Sequence, residues 1–290
     1  MTFYIIPEGR LGNNLFQFAF AIVLELNFPN IDIKIHPSNI QKYYGNKINK
    51  IIQVFPYIKK FIKEFNINKI KNSTKIVYNY HDFIDIKKIK QNKDVLFSCC
   101  FFQRTEYFLK YKVEIKKKLF YKKENNFNGL TIHLRSGDCW GTHEIPGNGT
   151  NYPWQPIPPI SFYKNIIKDE NNIRFIVESK TDPILLKLQK IYNNRNIIVQ
   201  SKDFLTDFIT LMNSKKLVLS ISSFSYWSAF LSNASEIHIP LGGFFHPNTP
   251  RKEINWKLNF NNVIGYKLNN EIYLDKWKGS NENLKYILNN

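Results

Sequence analysis

Phe3-Tyr-Ile-Ile6, then Pro7-Glu8-Gly9-Arg10-Leu11-Gly12-Asn13-Asn14, then the apolar run of residues 15–26 follow one another without a break near the start of the chain. Four apolar residues ended by a proline read as a buried strand. The two glycines mark a tight loop, and an apolar run interrupted only by Gln17 and Glu25 reads as a helix. The order is strand, glycine loop, helix. Moving outward, short apolar runs at 31–35, 76–80 and 95–101 alternate with lysine-punctuated helical patterns at 51–65 and 107–119, so this half is expected to be α/β. Residues 121–129, the most polar interval near the middle, are expected to be the linker. Beyond it the alternation is cleaner: strands are expected at 130–134, 173–177, 197–199, 217–219 and 236–239, and helices at 160–168, 183–192, 204–213 and 224–231. Such repetition implies a parallel sheet covered on both faces. The expected organisation is therefore two α/β domains, 1–125 and 126–290.

Composition agrees with a folded chain. Of 290 residues, 43% are hydrophobic and 16% aromatic, which supplies enough apolar surface for two cores and excludes global disorder. The formal net charge is +18, and 23 basic against 10 acidic side chains fall in residues 1–125. A positive field of this size favours acidic partners such as nucleotides, phosphorylated glycolipids or an anionic membrane surface, although lysines scattered among Ile and Asn read equally as a solvated face. A nucleic-acid partner is not expected, because no recognition helix, zinc site or aromatic-basic β-motif is found. The three cysteines, Cys99, Cys100 and Cys139, lack metal spacing, and no disulfide framework is expected of them. Neither a signal peptide nor a spanning helix is read. The expectation is a cytoplasmic protein, peripheral to a membrane at most, or a catalytic piece of a longer one.

In open parallel sheets ligands bind beyond the carboxyl ends of the strands, so the loops after residues 6, 134, 177 and 219 are where chemistry is sought. In the first, Gly9 and Gly12 precede a helix whose opening amides could receive a phosphate or a sugar hydroxyl; equally, the glycines could simply make the turn. No dinucleotide fingerprint or P-loop is present. In the second, His133-Leu-Arg-Ser-Gly-Asp138, an arginine at a strand end can form two bonds to a phosphate and neutralise the charge that grows as a nucleoside diphosphate leaves. The competing reading is a structural Arg135–Asp138 pair. In the third, Glu178 and Asp182 stand where an acidic residue often meets a ribose or base, although Asp182 before Pro183 is also a plain helix cap. The fourth loop places Ser222, Ser223 and Ser225, with Phe224 between them, at a helix start suited to a diphosphate, and capping alone would account for one serine. Tyr226 and Trp227 suit packing.

Three blocks, Gly9-Arg-Leu-Gly-Asn-Asn-Leu-Phe-Gln-Phe-Ala19, His133-Leu-Arg-Ser-Gly-Asp138 and Ser222-Ser-Phe-Ser-Tyr-Trp-Ser-Ala-Phe-Leu231, resemble in order and spacing the signature blocks of the α1,2-fucosyltransferases and their relatives. The resemblance implies a GT-B-type enzyme, two Rossmann-like domains facing a cleft, with 1–125 on the acceptor side and 126–290 on the donor side. It implies inverting transfer of L-fucose from GDP-fucose to a glycan or glycolipid hydroxyl, without a metal or other cofactor. Carried over by position, Arg135 would meet the donor diphosphate, with His133 beside it in the same motif. Ser222, Ser223, Phe224 and Ser225 would lie near the phosphates, and Gly9, Gly12 and Asn13 at the cleft. The chain departs from the family where Ser136 and Cys139-Trp140 replace a frequent arginine and aromatic, and where Asn14 stands in place of a frequent glutamine. The insert of residues 140–159 reads as a lid or acceptor loop.

An inverting transfer needs a cation for the leaving diphosphate and sometimes a carboxylate for the acceptor proton. Arg135 fills the first role, and Glu8 or Asp138 the second unless a phosphate oxygen takes the proton. No Asp-x-Asp pair is present to hold a divalent ion. Two rivals are a glycosyltransferase of the same fold with another nucleotide-sugar and an inactive glycan-binding protein.

Overall fold

Thr2–Ile6 forms β1 in the computed structural model, and Leu11–Asn27 forms α1, so the opening strand, loop and helix are as the sequence implies. The structure describes residues 1–74, 76–79, 82–89, 92–123, 127–135, 155–249, 253–268, 277 and 279–290. By its internal contacts the chain divides into two units. The first comprises residues 1–121 with 252–255, and the second 122–251 with 256–290.

The first unit holds a wholly parallel sheet of β1, β2 (Asp32–Ile35), β3 (Ile76–Tyr78) and β4 (Val95–Ser98), in the order β2-β1-β4-β3. Helix α1 is apolar around most of its circumference and every residue from Leu15 through Leu24 is buried, the condition under which such a helix is stable in water. Its glutamine is absorbed by hydrogen bonds rather than exposed. The remaining helices of this unit are short: α2 (Ser38–Tyr44), α3 (Ile48–Val54), α4 (Ile67–Ser73) and α5 (Lys112–Leu119).

Three expectations for this unit need correction. The helical pattern at 51–65 is cut at Pro56, whose missing N–H and effect on Phe55 end α3 and start a 3₁₀ segment, Pro56–Lys60. The pattern at 107–119 resolves into 3₁₀ turns at Thr105–Tyr107 and Leu109–Tyr111 before α5. The strand expected at 95–101 stops at Ser98 because Cys99 and then Phe102 adopt left-handed backbone, at φ 57° and 53°, where no ladder can continue.

The second unit is a six-stranded parallel sheet built from β5 (Leu130–Leu134), β6 (Asn172–Val177), β7 (Asn196–Gln200), β8 (Lys216–Val218), β9 (Glu236–Leu241) and β10 (Val263–Lys267). Its order is β10-β9-β8-β5-β6-β7. Counting from β5, this is the strand order of a dinucleotide-type Rossmann sheet, and the direction of winding reverses between β5 and β8. Helices α6 (Ile160–Ile167), α7 (Pro183–Ile191), α8 (Phe204–Met212) and α9 (Ser223–Leu231) connect the strands within a residue or two of their expected bounds. Two elements escape the sequence reading. They are β10, a half-exposed edge strand, and the final helix Asn281–Asn289, which carries a capping box between Ser280 and Asn283.

Candidate active site

The reversal point of the second sheet is where a ligand crevice is expected, and the residues there form one hydrogen-bonded cluster. His133, one residue before the end of β5, is buried, as are Ser220, Ser222 and Ser225. The His133 Nδ1 lies 2.5 Å from Ser225 Oγ and 2.8 Å from Ser220 Oγ. Ser220 Oγ is 3.0 Å from Ser225 Oγ and 3.3 Å from Ser222 Oγ. Ser222 caps α9 by accepting from the Ser225 N–H at 3.1 Å. Ser225 Oγ in turn accepts from the Ser220 N–H at 3.2 Å, which frees its own proton for the imidazole. We assign the histidine proton to Nε2 on that basis. The serine block therefore divides into a cap, Ser222, and a histidine partner, Ser225, while Ser223 and Phe224 remain partly exposed at the helix start, Phe224 with its ring centroid 5.3 Å from that of His133. Tyr226 and Trp227 are fully buried packing residues.

Ser220, the second histidine partner, is absent from the expected site set. Its signal is a further hydroxyl in the stretch Ser220-Ile-Ser222, but the apolar run of residues 217–219 leads straight into it and makes it read as the end of a strand.

Burial, assisted by the neighbouring Arg135 charge, pulls the His133 pKa from 6.5 down to about 3. The ring is therefore neutral at physiological pH. It orients two hydroxyls without competing with Arg135 for an anion, and it is too weak a base to take an acceptor proton. The unfolded chain gains a proton at this residue below pH 6.5 and the folded chain does not until about pH 3, so native stability falls as pH drops through that window. At about pH 5 the loss from this one residue is expected to be about 2 kcal/mol. Urea unfolding of the parent and His133→Asn, whose amide reaches the Nδ1 position, should show a smaller loss on acidification in the variant. An equal loss in both would remove His133 as its source. His238, also held below its ordinary pKa by burial despite the opposing pull of Glu236, leaves a residual slope of the same sign.

Arg135 follows β5 directly, half-buried, and donates to the Gln155 Oε1. Asp138, the expected partner of Arg135, and residues 140–154 of the insert read as a lid lie outside the described residues. Glu178 is exposed just beyond β6, the strand next to β5. Asp182 is buried, and its Oδ1 accepts from the Ile184 and Leu185 N–H groups at 2.8 and 3.0 Å, with Pro183 at the first helical position. It serves as the helix cap that the dipeptide suggested. Of the two carboxylates, Glu178 is the one open to a ligand.

In the first unit a second polar network lies beyond the carboxyl ends of the neighbouring strands β1 and β4. Gln17, buried in α1, donates to the carbonyls of Glu8 and Cys100, each at 3.2 Å, and so joins the loops that follow the two strands. Asn14 donates to Gln17 Oε1 at 3.1 Å. Gln103 donates to Asn13 Oδ1 at 2.9 Å. Gly9 has φ +83°, and a β-carbon there would sit 2.3 Å from the Asn13 side-chain nitrogen, so both its conformation and its lack of a side chain are needed. The helix amides expected to be open are already engaged: Leu11 N–H donates to the Tyr44 hydroxyl, and the Asn13 and Asn14 N–H groups donate to the Arg10 carbonyl. Gly12 is buried within the first turn. The Glu8 carboxylate, half-buried, accepts from Asn39 Nδ2 and the Tyr43 hydroxyl, each at 3.0 Å. Gln17 and Gln103 were not among the expected residues. A polar amide inside an otherwise apolar helix was the available sign of Gln17.

Among the described residues no group of three or more His, Cys, Asp or Glu side chains is placed to hold a metal ion. Among the same residues no helix is long and apolar enough to cross a membrane.

Residues 163–263 match the model of glycosyl transferase family 11. This segment contains the whole serine block, and the match carries the coarse functional class, that of a glycosyltransferase acting between a nucleotide-sugar and a glycan. No curated protein sequence matches the chain. Among solved structures, a family 9 glycosyl transferase from Veillonella parvula aligns at 11% identity and a TM-score of 0.49, covering 92% of this chain and 86% of its own. The E. coli heptosyltransferase WaaC with ADP-2-deoxy-2-fluoro heptose aligns at 10% identity and 0.45, covering 98% of each chain. A point mutant of Arabidopsis thaliana FUT1 in complex with GDP aligns at 11% identity and 0.46, covering 82% of this chain and 69% of its own.

Proposed function

We propose that this glycosyltransferase takes L-fucose from GDP-fucose and transfers it, with inversion and in α1,2-linkage, to a hydroxyl of a glycan acceptor. The observation that carries the reading is the His133–Ser220–Ser222–Ser225 cluster at the reversal point of a Rossmann-ordered sheet, with a half-exposed arginine two residues past the histidine. In this reading Ser223 and the start of α9 receive the donor diphosphate, and Arg135 neutralises the charge that develops as it departs. His133 stays neutral and fixes the hydroxyls. Glu8 or Asp138 takes the acceptor proton, unless a phosphate oxygen does. Glu178 reads guanine by accepting from N1–H and N2–H together, a pair that uracil does not offer.

Metal is not required in this reading, since Arg135 and the helix-end amides replace a divalent ion. Glu178 and Glu8 belong to separate loops, and Asp182 is used as a cap. Thermal-shift titration with GDP, GDP-fucose, UDP, CMP and dTDP tests the donor. GDP compounds should raise the midpoint most, because a ligand bound only by the native state stabilises in proportion to its affinity. Glu178→Ala should erase about 1–3 kcal/mol of the preference for guanine. Transfer should persist in EDTA. A larger shift with UDP or dTDP would overturn the donor assignment, and negligible shifts with every nucleotide would favour an inactive glycan binder.

A further inference from the structure

The segment of residues 109–123, Leu-Lys-Tyr-Lys-Val-Glu-Ile-Lys-Lys-Lys-Leu-Phe-Tyr-Lys-Lys, carries seven lysines against one glutamate. It lies in the half of the chain that holds most of the excess positive charge. Its inner face is defined by Ile115 and Leu119, both buried, which fix α5 against the unit. Its outer face is not the plain solvated surface that a lysine run usually makes. Leu109, in the 3₁₀ turn that leads into α5, is 39% exposed, and Val113, in the first turn of α5, is 76% exposed. Lys110, next to Leu109, and Lys117, one helical turn on from Val113, are both exposed. Burial, with a smaller repulsion from Lys116, holds the pKa of the Lys112 ammonium down to about 8.

We infer that the outer face of α5 and the turn before it, built on Leu109, Lys110, Val113 and Lys117, docks on the surface of an anionic lipid bilayer. Lysines supply the attraction to acidic headgroups, and the aliphatic ridge enters the boundary between headgroups and acyl chains. Neither part suffices alone. A few basic residues bind weakly, and two aliphatic side chains would not hold a protein at a neutral bilayer, but the sum gives reversible attachment. Charge complementarity selects an anionic bilayer rather than an apolar protein groove, since the segment carries seven lysines against one glutamate. The inference is independent of the donor and of the reaction.

Cosedimentation of the full chain with vesicles of phosphatidylcholine, with and without phosphatidylglycerol, tests it at physiological ionic strength. Binding is expected only with phosphatidylglycerol. Replacing Lys110 and Lys117 by glutamine should weaken it about fivefold per lysine. Leu109→Gln with Val113→Gln leaves every charge in place and should weaken it about tenfold or more. The matched pair Leu186→Gln and Lys187→Gln, on the exposed side of α7, should leave binding unchanged. Both pairs spare the buried residues of their helices, and Val113→Thr alone provides a milder variant should the double one fail to fold. No binding by the parent chain, no effect of the uncharged pair, an equal effect of the α7 pair, or tighter binding to duplex DNA than to the vesicles would each overturn the inference.

Discussion

Arg135→Ala is expected to cost about 2–4 kcal/mol at the transition state, roughly thirty- to a thousand-fold in kcat/KM, while the protein stays folded. Arg135 stands one residue past β5, two residues from the buried His133. Its side chain is only half-buried and donates to Gln155, so its removal opens no cavity in either core. The cost should fall on the reaction, because a guanidinium fixed at a strand end gains most when the diphosphate takes on its full charge. Arg135→Lys should recover only part, since an ammonium cannot form the two parallel bonds of the planar fork. Fucose transfer, or nucleotide release if the acceptor is not at hand, measured beside a melting curve separates the outcomes. A folded Arg135→Ala protein with near-parental turnover would remove the residue from the mechanism.

Phe20→Ala should have the largest effect on stability, about 3–5 kcal/mol. The ring has no exposure at the centre of α1. It stacks on Phe102 with centroids 3.8 Å apart, and meets Phe97 and Tyr107 edge-on at 5.6 and 5.4 Å. Phe102 holds a left-handed backbone conformation that a bulky residue adopts only when its surroundings enforce it, and the stacked ring is part of that enforcement. The expected result in urea is an unfolding midpoint lowered in proportion, with the slope unchanged. Conservative Phe20→Leu should cost about 1–2 kcal/mol, because it keeps most of the volume. A loss below about 1 kcal/mol for the alanine variant would show that the site collapses to fill the gap.

The second unit was legible because its strands are continuous apolar runs and its helices are amphipathic and capped by recognisable residues, such as Asp182-Pro183 and Asp203. The first unit was less so. Its short helices and 3₁₀ turns depend on Pro56 and on the backbone at Cys99 and Phe102, and the latter two have no signature in side-chain pattern. β10 escaped because Gly265 and its exposed neighbours break the alternation that marks a strand. In the candidate site the motif residues His133, Ser222 and Ser225 could be named in advance, but not which hydroxyl would face the histidine. That choice is made when β5 and β8 become neighbours, a tertiary event between residues 87 apart in the case of Ser220. The same holds for Gln17, whose carbonyl partners lie 9 and 83 residues away along the chain.

Residues 253–255 group with the first unit. The Asn255 carbonyl accepts from both the N–H and the hydroxyl of Thr105, at 2.7 and 2.8 Å, and its own N–H donates to the Gln103 carbonyl at 2.8 Å. Gln103 is the residue whose side chain holds Asn13. During synthesis β1, its loop and α1 leave the ribosome ahead of Thr105, yet the main chain that pins Thr105 arrives 150 residues after it. The first unit is thus completed late: the main-chain bonds that Asn255 makes to Gln103 and Thr105 form only after nearly all of the other sheet has been made.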